Sequence, residues 1–160
     1  MIHVQLTQNQ STVIDDRFFK KISKYKWQAD FDKKLGKFYV KTTITVDGKR
    51  RGLRMHRFIM DAKKGDIIDH VNGDPLDNRF KNLRKCTVSQ NAKNRSINKN
   101  NTSGYKGVVW HLQVCKWQSR IYVDGKWKSL GIFDDKMKAA KAYNKAAKVH
   151  YGKFAKLNTF

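Results

Sequence analysis

The chain has 160 residues, with 35 Lys and Arg against 13 acids, for a formal charge of +22. All 13 acids are aspartates, which excludes mechanisms that need a glutamate, among them the HExxH metalloproteases and the two-glutamate glycosidases. With 39% hydrophobic and 12% aromatic residues there is enough apolar material for packed cores, so a disordered basic tail is excluded as well.

No apolar run approaches the roughly 18 residues of a membrane span, and the N-terminus lacks a signal-peptide apolar segment. A soluble, cytoplasmic protein without a membrane partner is expected. Cys86 and Cys115 stand far apart with no CxxC pair, so structural zinc is not expected. Both thiols are expected reduced, in or near cores, and any metal must be held by oxygen and nitrogen ligands. The positive charge is spread along the chain: segments 1–52, 53–103 and 104–160 carry +7, +6 and +9. Such charge gains free energy by releasing counterions from phosphates. Nucleic acid is therefore favoured over an anionic membrane, for which no lipid-facing amphipathic helix is present.

In chain order, residues 1–52 read as a strand, a helix and a hairpin. Their Lys20, Lys21, Lys24 and Lys26 form either a solvated face or a phosphate-binding edge. Phe38–Val46 and Arg50–Met55 flank Asp47-Gly48, the dipeptide of a type I′ turn. Met55-His-Arg-Phe-Ile is the start of a short helix or the end of a strand. A second hairpin runs through Ile67–Val71, turns at Asn72-Gly73-Asp74 and returns irregularly past Pro75 and Asn82. Thr87-Val-Ser-Gln90 is a capping box that starts a helix near Val88. A polar linker over 96–102 follows. Tyr105–Trp110, Lys116–Val123 and Lys126–Phe133 read as strands, the last two joined by Asp124-Gly125. Asp134 caps an alanine-rich helix running to about Tyr151, before Gly152. The fold class is α+β, ending in a three-stranded antiparallel sheet packed on one helix.

The chemistry concentrates at Asp69-His70, Asn82 and Asn91. Alternation sends Asp69 and His70 to opposite faces unless the strand ends there. A carboxylate and an amide oxygen are hard ligands for Mg²⁺ or a similar ion, and a nearby imidazole can deprotonate water. Taken alone, these residues are equally consistent with a structural role.

The run Met55-His56-Arg57-Phe58, Ile68-Asp69-His70-Val71-Asn72-Gly73-Asp74, Asp77-Asn78-Arg79, Asn82-Leu83-Arg84 and Asn91 resembles the HNH (ββα-metal) nuclease module of phage homing endonucleases. The resemblance implies a nuclease module at 53–95 on which residues 1–52 pack. It implies Asp69 and Asn91 as ligands of one divalent ion, Mg²⁺ or Mn²⁺, His70 as general base, and Asn82 as the residue that pins the loop. Asn91 stands where the family name has a histidine, as in the homing subgroup. Arg57 either clamps a DNA phosphate or is solvated, and His56 is expected to be a structural histidine or a phosphate contact.

Ser103-Gly-Tyr-Lys-Gly-Val-Val-Trp110, Lys116-Trp117, Arg120-Ile121, Leu130-Gly-Ile-Phe133 and Ala139-Ala-Lys-Ala-Tyr143 resemble the plant ethylene-response-factor (apetala-type) DNA-binding domain, over 103–160. Its sheet lies in the major groove. Period-2 alternation puts Lys116, Gln118, Arg120 and Tyr122 outward, with Lys106, Trp127 and Ser129, while Leu130 and Ile132 point inward. Arg120 is the candidate for guanine, Gln118 for adenine, and Lys106 and Lys116 for phosphates; Trp127 either faces DNA or shields a core at the sheet edge. Val109, Tyr122 and Trp127 replace arginines of the plant domains, so the target sequence does not carry over. Together these imply a phage-encoded endonuclease in a bacterial host that nicks double-stranded DNA as a monomer. The alternatives are a non-cleaving DNA-binding regulator and a structure-specific repair nuclease.

Overall fold

The computed structural model describes residues 1–98 and 100–160; Lys99, within the expected linker, lies outside the described residues. The chain divides into two compact units, Met1–Val88 and Ser89–Phe160. The whole is a mixed α/β protein of several small sheets and few helices. Among the described residues no helix is long and apolar enough to cross a membrane.

In the first unit β1 (Ile2–Gln5) pairs antiparallel with β2 (Ser11–Ile14). Gln8 and Asn9 turn the chain at φ 59° and 54°, a left-handed turn made without glycine. After a short helical turn and α1 (Phe19–Ile22), β3 (Gln28–Asp32), β4 (Lys37–Val46) and β5 (Lys49–Arg54) form a three-stranded antiparallel sheet in that order. Asp47 and Gly48, at φ 50° and 71°, make the expected tight turn between β4 and β5. The reading of residues 1–52 as one strand, a helix and a hairpin is thus corrected: β1 has a partner in β2, and β3 is an additional strand.

Met55–Ile59 is the helix α2, which settles the helix-or-strand ambiguity. It is followed by the pair β6 (Ile67–His70) and β7 (Leu83–Cys86). Ile14, Ile22, Trp27, Val40, Met55, Ile59 and Leu83 form one buried cluster, so residues on both sides of position 53 share a single core. Burying such side chains stabilises each by about 1.5–3 kcal/mol, and α2 contributes Met55 and Ile59 to the cluster. The helix α3 (Val88–Lys93) follows.

In the second unit β8 (Val108–His111), β9 (Lys116–Val123) and β10 (Lys126–Phe133) form an antiparallel sheet in the order β10-β9-β8. The helix α4 (Lys136–Tyr151) covers one face. Ile121, Val123, Tyr143 and Ala147 form one buried cluster, and Val108, Ala139 and Ala140 another. The alanines let the helix backbone approach the sheet. Four expectations are corrected here. The helix cap is Asp135, not Asp134; its side chain accepts from the Met137 and Lys138 amides. Lys106 precedes the first strand, because Gly107 at φ 76° breaks the extended run. Ile132 is 46% exposed rather than inward. Ser129 pairs with Arg120 and Gly131 with Ser119, so the bulge at Leu130 resets the alternation and Phe133 turns inward instead. Cys115 is exposed, in a left-handed turn, while Cys86 is half-buried.

Candidate active site

β6 ends at His70, and residues 71–82 form an irregular connection to β7. Such a segment lacks ladder hydrogen bonds, so side chains must supply them. Asn82 supplies three. Its Oδ1 accepts from the Asn72 amide at 3.0 Å, and its Nδ2 donates to the Asp77 carbonyl at 2.8 Å and to Asn72 Oδ1 at 3.0 Å. Strand β2 holds the other side of the loop. Thr12 Oγ1 donates to the Leu76 carbonyl at 2.6 Å, and the Asn78 amide donates to the Val13 carbonyl at 2.9 Å. The Arg79 guanidinium on Asp77 holds that carboxyl below its ordinary range.

Asp69 and His70 are 8% and 7% exposed. Asp69 lies directly opposite Arg84 across the β6–β7 ladder. Arg84 Nε and Nη2 both donate to Asp69 Oδ2, at 2.9 and 2.7 Å, a charge-assisted pair that fixes the carboxylate's direction. His70 Nε2 lies 3.4 Å from Asn78 Oδ1. Asn78 Nδ2 is already committed to Thr12 Oγ1 at 2.8 Å and the Pro75 carbonyl at 3.2 Å. The oxygen of Asn78 therefore faces His70, an arrangement that suits an Nε2–H donor. Burial is the main reason that the His70 pKa is lowered, and the ring is the neutral, proton-accepting form at pH 7.

The His56 ring lies 5.0 Å from that of His70, edge to face. Burial, joined by the charges of His70, Arg54 and Arg57, pushes His56 down to about 3. The site thus holds two buried imidazoles with lowered pKa values, one of them next in sequence to an ion-paired carboxylate. Asn91 is half-buried on α3, in the second unit. Among the described residues no three His, Cys or Asp side chains cluster as a metal site. The expected set of one carboxylate and one amide falls outside that pattern.

The expected DNA-contact residues divide. Arg57 spends Nη1 on the Asp66 carbonyl at 2.5 Å and Nη2 on the Lys63 carbonyl at 2.8 Å, bracing the loop before β6. The Lys106 ammonium donates to the Lys93 and Arg95 carbonyls at 2.7 and 2.6 Å, and burial brings its pKa down to about 8. Both therefore have backbone partners within the protein. The outer face of β9 and β10 gathers the remainder. Arg120 lies 4.6 Å from the Trp127 ring centroid, Trp127 meets Tyr122 edge to face at 5.3 Å, and both aromatics are exposed. Gln118 is half-buried, Ser129 is exposed, and Lys116 pairs with Asp134 at 3.0 Å.

Sequence reasoning gave no role to Arg84 or Asn78 and did not place His56 beside His70. Arg84 is found only through the register of β6 on β7, which the irregular connection hides. The buried Asn78 carried no signal beyond its place in the motif.

Comparison with known proteins agrees with this layout. The HNH endonuclease family model matches residues 54–93. Protein 3.8 of Escherichia phage T7 is 33% identical over 108 residues, covering 64% of this chain and 88% of that protein. An uncharacterized HNH endonuclease of Acanthamoeba polyphaga mimivirus is 31% identical over 143 residues, covering 86% of this chain and 68% of its own length. HNH nucleases generally use a divalent metal. The matched segment runs through α2, the β6–β7 hairpin with its braced loop, and Asn91, and the chain belongs to the HNH endonuclease family as a DNA endonuclease.

Proposed function

We propose that the protein is a metal-dependent, site-directed endonuclease of the phage homing type, which nicks double-stranded DNA as a monomer with Mg²⁺ or Mn²⁺. The observation that carries this reading is the buried His70 imidazole, its pKa lowered chiefly by burial, next in sequence to a carboxylate oriented by Arg84. The donors fit a hard cation: Asp69 and Asn91 would hold the ion. When bound, it supplies positive charge against the charge that develops on the phosphate and the leaving 3′ oxygen.

The His70 imidazole takes the proton of the attacking water. The water oxygen bonds to phosphorus as the bond from phosphorus to the 3′ oxygen breaks. Arg84 holds Asp69 in one orientation, which avoids the cost of ordering it during reaction. Asn82 keeps the 71–82 loop in place through its three bonds. One such site attacks one phosphodiester, so a nick is the product.

The nuclease module spans 53–95, the linker 96–102, and a reader of the ethylene-response-factor type 103–160. Supporting the reader is the outer face of β9 and β10, where Arg120 lies over the Trp127 ring and Tyr122 meets that ring edge to face and Gln118 and Ser129 offer hydrogen bonds. Tethering two weak DNA binders raises the effective concentration of the second once the first has docked. Supercoiled plasmid incubated with Mg²⁺ or Mn²⁺, with and without EDTA, tests the proposal. Open circles formed only with the ion support it. A protein that binds DNA but never cuts under either ion is a regulator instead.

A further inference from the structure

The helix α2 sets a second imidazole against the candidate base. His56 is 8% exposed, with its ring centroid 5.0 Å from that of His70 and 6.3 Å from that of Tyr39 on β4. The cations flanking it in sequence are engaged elsewhere: Arg54 lies over the Tyr39 ring, and Arg57 donates to the Asp66 and Lys63 carbonyls. The His56 ring itself makes no hydrogen bond to any described residue. Among the described residues, the fully enclosed side-chain polar atoms that lack a partner are His111 Nδ1 and Ser119 Oγ. The His56 nitrogens are not among them, so the polar edge of this buried ring borders solvent-accessible space.

A buried imidazole without a protein partner is destabilising, and a phenylalanine of similar size would fill the same place without that penalty. Such a group persists where a role beyond packing keeps it. The neighbouring ring identifies that role. Two rings with centroids 5.0 Å apart can both reach one oxygen atom at about 2.8–3.0 Å. A phosphate oxygen would be met best by a charged imidazolium, yet burial, joined by His70, Arg54 and Arg57, pushes His56 down to about 3. The ring is therefore uncharged at neutral pH. An uncharged imidazole keeps one lone pair and can accept from a water molecule, which an imidazolium cannot. The arrangement favours water over phosphate as the partner.

We infer that His56 is a catalytic residue that accepts a hydrogen bond from the water which His70 deprotonates, so that both water hydrogens are held and an oxygen lone pair is left for phosphorus. One water proton passes to His70. The other stays on the oxygen, directed at His56, while that oxygen bonds to phosphorus and the 3′ oxygen leaves with the electron pair of the broken bond. The inference rests on the reading of His70 as the base of a DNA endonuclease. It is tested on the full chain by single-turnover nicking of a labelled duplex with Mg²⁺ or Mn²⁺, for wild type, His56→Phe and His56→Gln. Thermal midpoint and duplex affinity in EDTA are measured for each protein. His56→Phe keeps an aromatic ring beside His70 and removes both nitrogens. Its midpoint should equal or exceed that of wild type and its affinity should match, while cleavage falls by about 10- to 100-fold. His56→Gln restores an acceptor, so it should cut faster than His56→Phe although its midpoint is no higher. Wild-type cleavage by His56→Phe, or cleavage rates that follow the order of the midpoints, overturn the role of His56 and leave the endonuclease reading standing. A His56→Phe chain that fails to fold by circular dichroism assigns the nitrogens to the core and overturns that role as well. A wild type that binds duplex but cuts with neither ion overturns both.

Discussion

Acidification probes the pairing of His56 with His70. Both rings are buried and their centroids are 5.0 Å apart, and His56 is pushed down to about 3, chiefly by burial. The unfolded chain, with an ordinary histidine near 6.5, takes up the proton first as pH falls. The neutral ring's contribution is therefore fully present above about pH 6.5 and is lost as pH drops toward the folded value. Integrated from pH 7 to 4.5, this one residue removes about 2.5 kcal/mol of stability, a large part of the roughly 5–15 kcal/mol of a typical domain. His70 is lowered as well, mainly by burial, and acts in the same direction. His56→Gln removes the titrating group, so its stability should fall about 2.5 kcal/mol less over the same interval, whatever it loses at neutral pH. Urea unfolding of both proteins at pH 7.0, 5.5 and 4.5 measures the difference. Trp27, whose ring centroid lies 5.8 Å from that of Phe58 in the same core, serves as reporter once the other three tryptophans are replaced by phenylalanine. Parallel pH slopes for the two proteins would refute the reasoning.

Three further outcomes follow from the geometry. Arg84→Ala takes the two-pronged guanidinium from the buried Asp69 carboxylate and should cost about 3–5 kcal/mol in urea unfolding, with cleavage lost; Arg84→Lys should restore part of the stability but less of the cleavage, since a point charge does not fix the carboxylate's direction. Gly107→Ala would put a Cβ 2.7 Å from the Arg120 carbonyl oxygen, and closer still to the Tyr143 ring, at a φ of +76°. Calorimetry should show the second unit destabilised by about 2–4 kcal/mol, and a wild-type melting profile would contradict the contact. Arg120→Ala should lower binding to the preferred site by about 1–3 kcal/mol and leave binding to scrambled duplex nearly as it was. Equal loss on every sequence in a competition assay would assign Arg120 to phosphate instead of a base.

Local patterns were legible in the sequence where they decide structure by themselves. Lys116–Val123 and Lys126–Phe133 flank the turn dipeptide Asp124-Gly125, and the strands have those bounds. Asp47-Gly48 makes its turn for the same reason. Prediction failed where one residue changes the count. The bulge at Leu130 reverses the side on which Ile132 emerges, and Gly107 ends the extended run that would have included Lys106. At the site, Asp69, His70 and Asn82 stood out through their resemblance to the HNH motif. Their supports did not, because each comes from elsewhere in the fold: Arg84 through strand register, His56 from α2, and Thr12 from a strand more than sixty residues away. A carboxylate can be picked out by its type and position, whereas the groups that hold it depend on closure of the whole unit.

The most direct test of the account is single-turnover cleavage of a labelled duplex carrying a mapped nick site, comparing wild type with His70→Ala at saturating protein and Mg²⁺. Loss of the base should slow cleavage by about 10²–10⁴-fold, with thermal midpoint and duplex affinity in EDTA retained. Cleavage by His70→Ala at the wild-type rate would contradict the assignment of this imidazole as the group that deprotonates water.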